Sequence, residues 1–320
     1  MFRKSTALKL TVLAHCLLSL VSTAGQAHEN KLKELVVFPT EISLSNQEDR
    51  QSMVIQAIYE NGLTSDVTLQ AKLGLENPAL AKIENAIIKP LSDGETKLNV
   101  EFEGVSLNIP LKVNNAKTTL PISFRMDVMP VFMKANCNTG SCHGAARGKD
   151  GFRLSLFGYD PEGDHHRLTR EMPGRRINLA VPAESTVLEK AVGSVQHTGG
   201  KRIEPGSEMY QSVIRWIEAG APNDDVSKLP KLVDVQIAPK QAVMDGKDST
   251  QRLSVIAKYS DGTDRDVTSL SVFLTNNETS ANVSQNGIVT AGERGEAFVM
   301  ARFDTFTVGS QFLVLPKGLQ

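Results

Sequence analysis

Runs rich in Val, Ile, Leu, Phe and Tyr, several of them alternating with polar residues, occupy both ends of the chain. They fall at 35–38, 53–59, 98–102 and 109–113, and again at 233–237, 253–259, 298–303 and 309–315. Successive side chains of a strand point to opposite faces, so short runs of this kind predict strands with one buried face. An internal repeat links the two ends. Ala57-Ile58-Tyr59-Glu60-Asn61-Gly62, then Asp66-Val67-Thr68, returns as Ala257-Lys258-Tyr259-Ser260-Asp261-Gly262, then Asp266-Val267-Thr268. Asn-Gly and Asp-Gly between strands mark tight hairpin turns, because glycine accepts the positive φ they need. Each end therefore predicts a β-sandwich. Asp66 and Asp266 read as turn residues at strand starts rather than as calcium ligands.

The pattern changes between 118 and 227. Asp127 can cap a helix running from 128 towards 135, with Pro130 tolerated in its first turn. A short strand is expected at 152–157, a turn-rich stretch at 158–164, and a helix at 185–192 after Pro182. Ser207 can cap a last helix on which Tyr210, Val213, Ile214 and Ile217 share a face, and Gly220 and Pro222 stop it. Trp216 is expected to pack this helix against the one before Cys137. The predicted fold class is multidomain: two all-β sandwiches, at 28–117 and 228–320, flanking a mainly α middle domain at 118–227.

Residues 1–27 read as a secretory signal. Arg3, Lys4 and Lys9 precede an apolar stretch at 10–21, and Ala24-Gly25-Gln26-Ala27 supplies small residues for cleavage. The apolar stretch is interrupted by His15 and falls short of the roughly 20 residues a bilayer span needs; an uncleaved anchor is the alternative reading. Cys16 lies inside this segment. The mature chain is expected to begin near His28, to be exported to the periplasm or cell envelope without a membrane span, and to carry two cysteines.

A net charge of -1, with 22% charged and 40% hydrophobic residues, describes an ordinary globular chain with no basic field, which argues against nucleic acid as a partner. No Ser-His-Asp set, phosphate-binding glycine loop or suitably placed carboxylate pair is present, so a non-enzymatic protein is expected.

The candidate chemistry lies in Cys137-Asn138-Thr139-Gly140-Ser141-Cys142-His143-Gly144. Cys-x-x-Cys-His is the usual haem-attachment signature; here four residues separate the cysteines. On a regular helix a spacing of five turns the second cysteine by about 140° from the first. The extra pair must therefore bulge, and Gly140 supplies the freedom. A disulfide remains open, since the exported compartment is oxidising and the mature count is even. Zinc also remains open, with His165, His166 or His197 completing the ligands; otherwise His165 and His166 are expected to be solvated in a polar loop.

Two resemblances extend this reading. The repeated A-x-Y-x-[ND]-G…D-V-T blocks resemble bacterial immunoglobulin-like (Ig-like) domains of group 2. The middle segment resembles the cytochrome c-like domain of large planctomycete-type exported proteins. Its blocks are Asp127-Val128-Met129-Pro130, the cysteine motif, Gly151-Phe152-Arg153-Leu154-Ser155-Leu156, His197-Thr198-Gly199-Gly200-Lys201-Arg202 and Arg215-Trp216-Ile217-Glu218-Ala219-Gly220-Ala221-Pro222. The resemblance implies one covalent haem c on Cys137 and Cys142, with His143 as proximal iron ligand and His197 as distal ligand, Met209 being the alternative. Arg202, with Arg153 and Arg176, would meet the propionates. It further implies an exported c-type cytochrome in one-electron transfer with an unidentified redox partner, the haem domain positioned by the Ig-like modules. The competing functions are an envelope adhesion or scaffold protein with a disulfide-stapled middle, and a haem enzyme or sensor with an open iron site.

Overall fold

The structure, a computed structural model, describes residues 30–319. The signal-type segment and its cleavage position lie outside the described residues. The first module contains β1 (Leu32–Phe38), β2 (Ile42–Leu44), β3 (Gln51–Ser52), β4 (Val54–Tyr59), β5 (Thr64–Asp66), β6 (Lys72–Leu75), β7 (Ala81–Glu84), β8 (Ile87–Pro90), β9 (Gly94–Phe102) and β10 (Val105–Val113). The second contains β11 (Leu232–Ala238), β12 (Gln241–Asp245), β13 (Thr250–Arg252), β14 (Ser254–Tyr259), β15 (Asp264–Asp266), β16 (Val272–Thr275), β17 (Ala281–Val283), β18 (Ile288–Ala291), β19 (Gly295–Phe303) and β20 (Phe306–Leu315). Their sheets match one for one. β1-β4-β5 corresponds to β11-β14-β15, β2-β10-β9-β6 to β12-β20-β19-β16, and β3-β8-β7 to β13-β18-β17.

The repeated motif builds the same corner twice. Gly62 and Gly262 turn the hairpins at φ 83° and 84°. The Thr68 hydroxyl accepts from Ile55 N and the Thr268 hydroxyl from Val255 N, each at 2.9 Å, satisfying a strand donor that no neighbouring strand reaches. Val67 and Val267 fill the two cores between them. Strand alternation then holds along β9 and β19: Leu98 and Val100 face inward in one, Ala297, Val299 and Ala301 in the other.

The middle segment holds four short helices, α1 (Met129–Lys134), α2 (Pro161–Thr169), α3 (Thr186–Val192) and α4 (Glu208–Glu218). A π-helical turn at Phe124–Val128 leads into α1. Ser123, not Asp127, caps that turn, accepting from Met126 N, while Asp127 reaches back to Ser123 N. Ser207 caps α4 as expected, and Asp160 caps α2 where only turns were expected. At 152–157 no strand forms; a single bridge joins Lys149 and Phe152.

The fold-class expectation is corrected. The structure is mostly β, with 37% of the described residues in strands and 16% in helices, and the middle is not a mainly α cytochrome-like domain. Its helices are short pieces between long loops. Their apolar faces merge into one core that continues from Phe124, Val128 and Trp216 to Val255, Val299 and Phe312 of the second module. The first module keeps its own core around Ile55, Ile88, Leu98 and Leu111.

Candidate functional site

The cysteine loop is a tight coil closed by its own backbone. Cys142 N and Gly144 N both donate to Thr139 O at 3.0 Å, and His143 N donates to Cys137 O at 3.0 Å. Gly144 is required: a Cβ there would lie 2.1 Å from Asn138 O. Leu154 N then donates to His143 O at 2.8 Å and ties the loop to the following chain.

Cys137, Cys142, His143, His197 and Arg202 all line one cavity of about 230 Å³. The His143 and His197 rings are parallel within 4°, their centroids 6.2 Å apart. Each presents the same nitrogen. His143 Nδ1 lies 3.1 Å from Phe152 O and His197 Nδ1 lies 3.0 Å from Gly200 O. A carbonyl only accepts, so both Nδ1 atoms carry hydrogen, which in the neutral ring leaves the lone pair on Nε2. Burial, and to a lesser degree the neighbouring His197, pushes the His143 pKa down, which keeps that lone pair available. Burial pushes the Cys137 thiol up to about 12, so at neutral pH it is protonated. Both cysteines are free thiols.

The remaining expected site residues divide. Met209 packs against the core and is absent from the cavity lining. Arg153 is exposed and away from the cavity. Arg176 lines it, but its guanidinium is committed to Arg167 O, Gly151 O and Glu171, and lies over the Phe152 ring. Gly199 serves His197 itself, since a Cβ there would lie 2.8 Å from the imidazole. His165 is buried rather than solvated, its Nε2 donating to Ala221 O at 2.9 Å beside Phe124 and Trp216; His166 is exposed. Sequence reasoning missed Asn138, fully buried inside the motif with neither amide atom hydrogen-bonded. For haem, the group the resemblance implies, the residues that would be needed all line this one cavity. Cys137 and Cys142 would carry it, His143 and His197 would face its iron, and Arg202 would meet its acid groups.

A second arrangement joins the two β-modules. Asp266 Oδ2 accepts from Ser52 N at 2.7 Å, and Asp66 Oδ2 accepts from Arg252 N at 2.9 Å. Residues 52 and 252, like 66 and 266, are repeat counterparts, so the contact is nearly self-complementary, as at a two-fold interface. The Arg252 guanidinium adds an ion pair to Asp66 at 2.9 Å, and Gln56 reaches Gln251 at 3.1 Å. The Asp of each D-V-T block also holds its own turn, accepting from Thr68 N and Thr268 N. The middle segment is gripped from both sides: Arg265 pairs with Asp127 at 2.7 Å, and Arg50 with Glu208 at 2.7 Å.

No family model and no curated protein matches the chain. Among solved structures it is similar to domains 1–6 of the surface-layer protein SbsC, at 9% identity and a TM-score of 0.25 over 90% of this chain. It spans 28% of that structure's length. Domains 5–6 of SbsC are similar at 9% identity and a TM-score of 0.33, over 89% of this chain and 99% of that one. The insect immune protein hemolin is similar at 8% identity and a TM-score of 0.18, over 92% and 49%. Likenesses this loose carry nothing about activity, ligand or partner.

The expectation of a c-type cytochrome in one-electron transfer is corrected. The chain is strand-built as a whole, and the described residues hold no group of three or more His, Cys, Asp or Glu side chains placed to hold a metal ion. The description as an electron-transport protein goes with it. No helix among the described residues is long and apolar enough to cross a membrane.

Proposed function

We propose that this chain is a non-enzymatic scaffold of the cell envelope, in which two Ig-like modules clamp into one body and present the middle segment between them. The reciprocal Ser52–Asp266 and Arg252–Asp66 contacts carry the reading. Modules on a loose tether would leave these groups to water, whereas here Asp66 and Asp266 are buried and spent on the opposite module. A tethering role needs such a body, because a fixed geometry lowers the entropy lost when a partner binds. The test is fractionation of cells expressing the tagged full chain, with cross-linking of intact envelopes. Recovery in the envelope fraction, cross-linked to envelope components, supports the reading; recovery as a single uncross-linked soluble chain overturns it.

The cavity's contents are a separate matter from the corrected electron-transfer role. For the cofactor we propose haem on Cys137 and Cys142, favoured by the parallel His143 and His197 rings across the cavity the thiols line. Bound haem would supply a redox-active iron, which His143 and His197 would hold; Phe152 O and Gly200 O orient those two rings. A pyridine haemochrome spectrum of the exported full chain is the check. A chain exported and purified without that spectrum sinks the cofactor and leaves the scaffold standing.

A further inference from the structure

The two modules differ on one matching face. On the outer side of β9 stand Glu95, Lys97, Asn99 and Glu101, with Lys72 and Lys112 on the neighbouring strands. Cross-strand ion pairs cover this face, Lys112 to Glu95 at 3.0 Å and Lys72 to Glu101 at 3.6 Å. The register gives the counterparts directly, since Gly94 pairs with Val113 as Gly295 pairs with Val314. On β19 the same four places hold Glu296, Phe298, Met300 and Arg302. Lys112 is replaced by Leu313 and Lys72 by Val272, with Leu274 beside it. Phe298, Leu274 and Leu313 are 43%, 48% and 36% exposed. One fold, used twice, is solvated on this face in one copy and apolar in the other.

Among the described residues, the charges that remain on the apolar face meet no partner of opposite sign. The Arg302 guanidinium lies 4.3 Å from the Phe157 ring centroid, and its Nε is buried without a hydrogen-bond acceptor. Glu296 receives only a neutral amide, that of Gln311. Along β19 the strip reads Glu296, Phe298, Met300, Arg302, spanning roughly 20 Å. Turned by a half rotation about the point between Phe298 and Met300, the strip meets itself with Glu296 opposite Arg302 and Phe298 opposite Met300. Self-complementarity of this kind is what a two-fold contact between identical chains requires. The exposed Leu156 and Tyr159, on either side of Phe157 and Gly158, extend the apolar surface from Arg302 onto the middle segment.

We infer that the outer face of β16, β19 and β20 is a homodimer interface, closed by two reciprocal Glu296–Arg302 pairs around Phe298 and Met300. The inference stands independently of the scaffold reading and of any group in the cavity. Sedimentation equilibrium of the full chain tests it. The wild type should dimerise below about 100 µM. Phe298→Lys, which installs the residue the first module carries at Lys97, should leave a monomer with unchanged circular dichroism. Leu313→Lys, which copies Lys112, serves the same purpose if Phe298→Lys fails to fold. Glu296→Arg and Arg302→Glu should each weaken association by about tenfold, and the double exchange should recover most of that loss. A wild type monomeric at about 100 µM overturns the interface, as does a dimer indifferent to the lysine variants. A double exchange no tighter than its single parents overturns the pairing that defines it.

Discussion

Lys134 lies at the end of α1 with its ammonium buried against Ser271 O and Gln285 O and over the Phe273 ring, 5.2 Å from the centroid. No carboxylate among the described residues compensates it, and burial pushes its pKa down to about 8. The unfolded chain keeps the ordinary lysine value of 10.5, so between about pH 8 and 10.5 the unfolded state holds the proton that the folded state has released. Stability therefore rises with pH across that window, by about 3 kcal/mol from this residue, and the gain is lost as pH falls through 8. Other lysines and tyrosines titrate nearby, so the readout is a difference. Urea unfolding of the wild type and of Lys134→Met should diverge in favour of the wild type as pH climbs from 8 to 10.5; a constant difference contradicts the burial account. The D-V-T aspartates belong to this scale as well. A turn role for Asp66 was legible from Asp-Val-Thr, and Thr68 N confirms it. The pin to Arg252 was not, because its partner lies 186 residues away and the repeat shows no cross-strand pattern.

The cysteine loop fails or holds as an element. Gly144→Ala puts a methyl group against Asn138 O, so the coil must open, at a cost of several kcal/mol by the usual measure of buried backbone strain. The wild-type Cys137 thiol, protonated at neutral pH and mostly enclosed, should react slowly with a disulfide reagent. In Gly144→Ala it should react at least about tenfold faster, with a lower melting temperature; equal thiol kinetics would show that the loop does not depend on the glycine. The hairpins were readable because Gly62 and Gly262 announce their turns, and α4 because its apolar residues fall at helical spacing. α2 escaped notice for a physical reason: it buries Asp164 and His165 beside Leu168, so no apolar stripe marks it. The cavity is a mixed case. Cys137, Cys142, His143, His197 and Arg202 were each visible as chemistry-bearing residues, but their convergence depends on loops that carry no periodic signal.

Across the full chain the two modules are distinct in core and joined in surface. The first keeps its own cluster while the second shares one with the middle segment, and the reciprocal aspartate contacts, with Arg50–Glu208 and Arg215–Glu48, couple them. Asp66 is buried with two donors of Arg252, so removing it strands a partly buried cation and should cost about 3 kcal/mol. Asp266→Ala should cost less, since Ser52 N presents a neutral donor. The repeat made two β-modules predictable; their fusion was not, because binary patterns report which face is buried and never against what. If the clamp makes one body of both modules, the full chain must unfold as one, and differential scanning calorimetry reads this without any partner or ligand. One transition is expected for the wild type, with calorimetric and van't Hoff enthalpies in agreement, resolving into two in the Asp66→Ala, Asp266→Ala double variant. Two separate transitions in the wild type would refute the clamp.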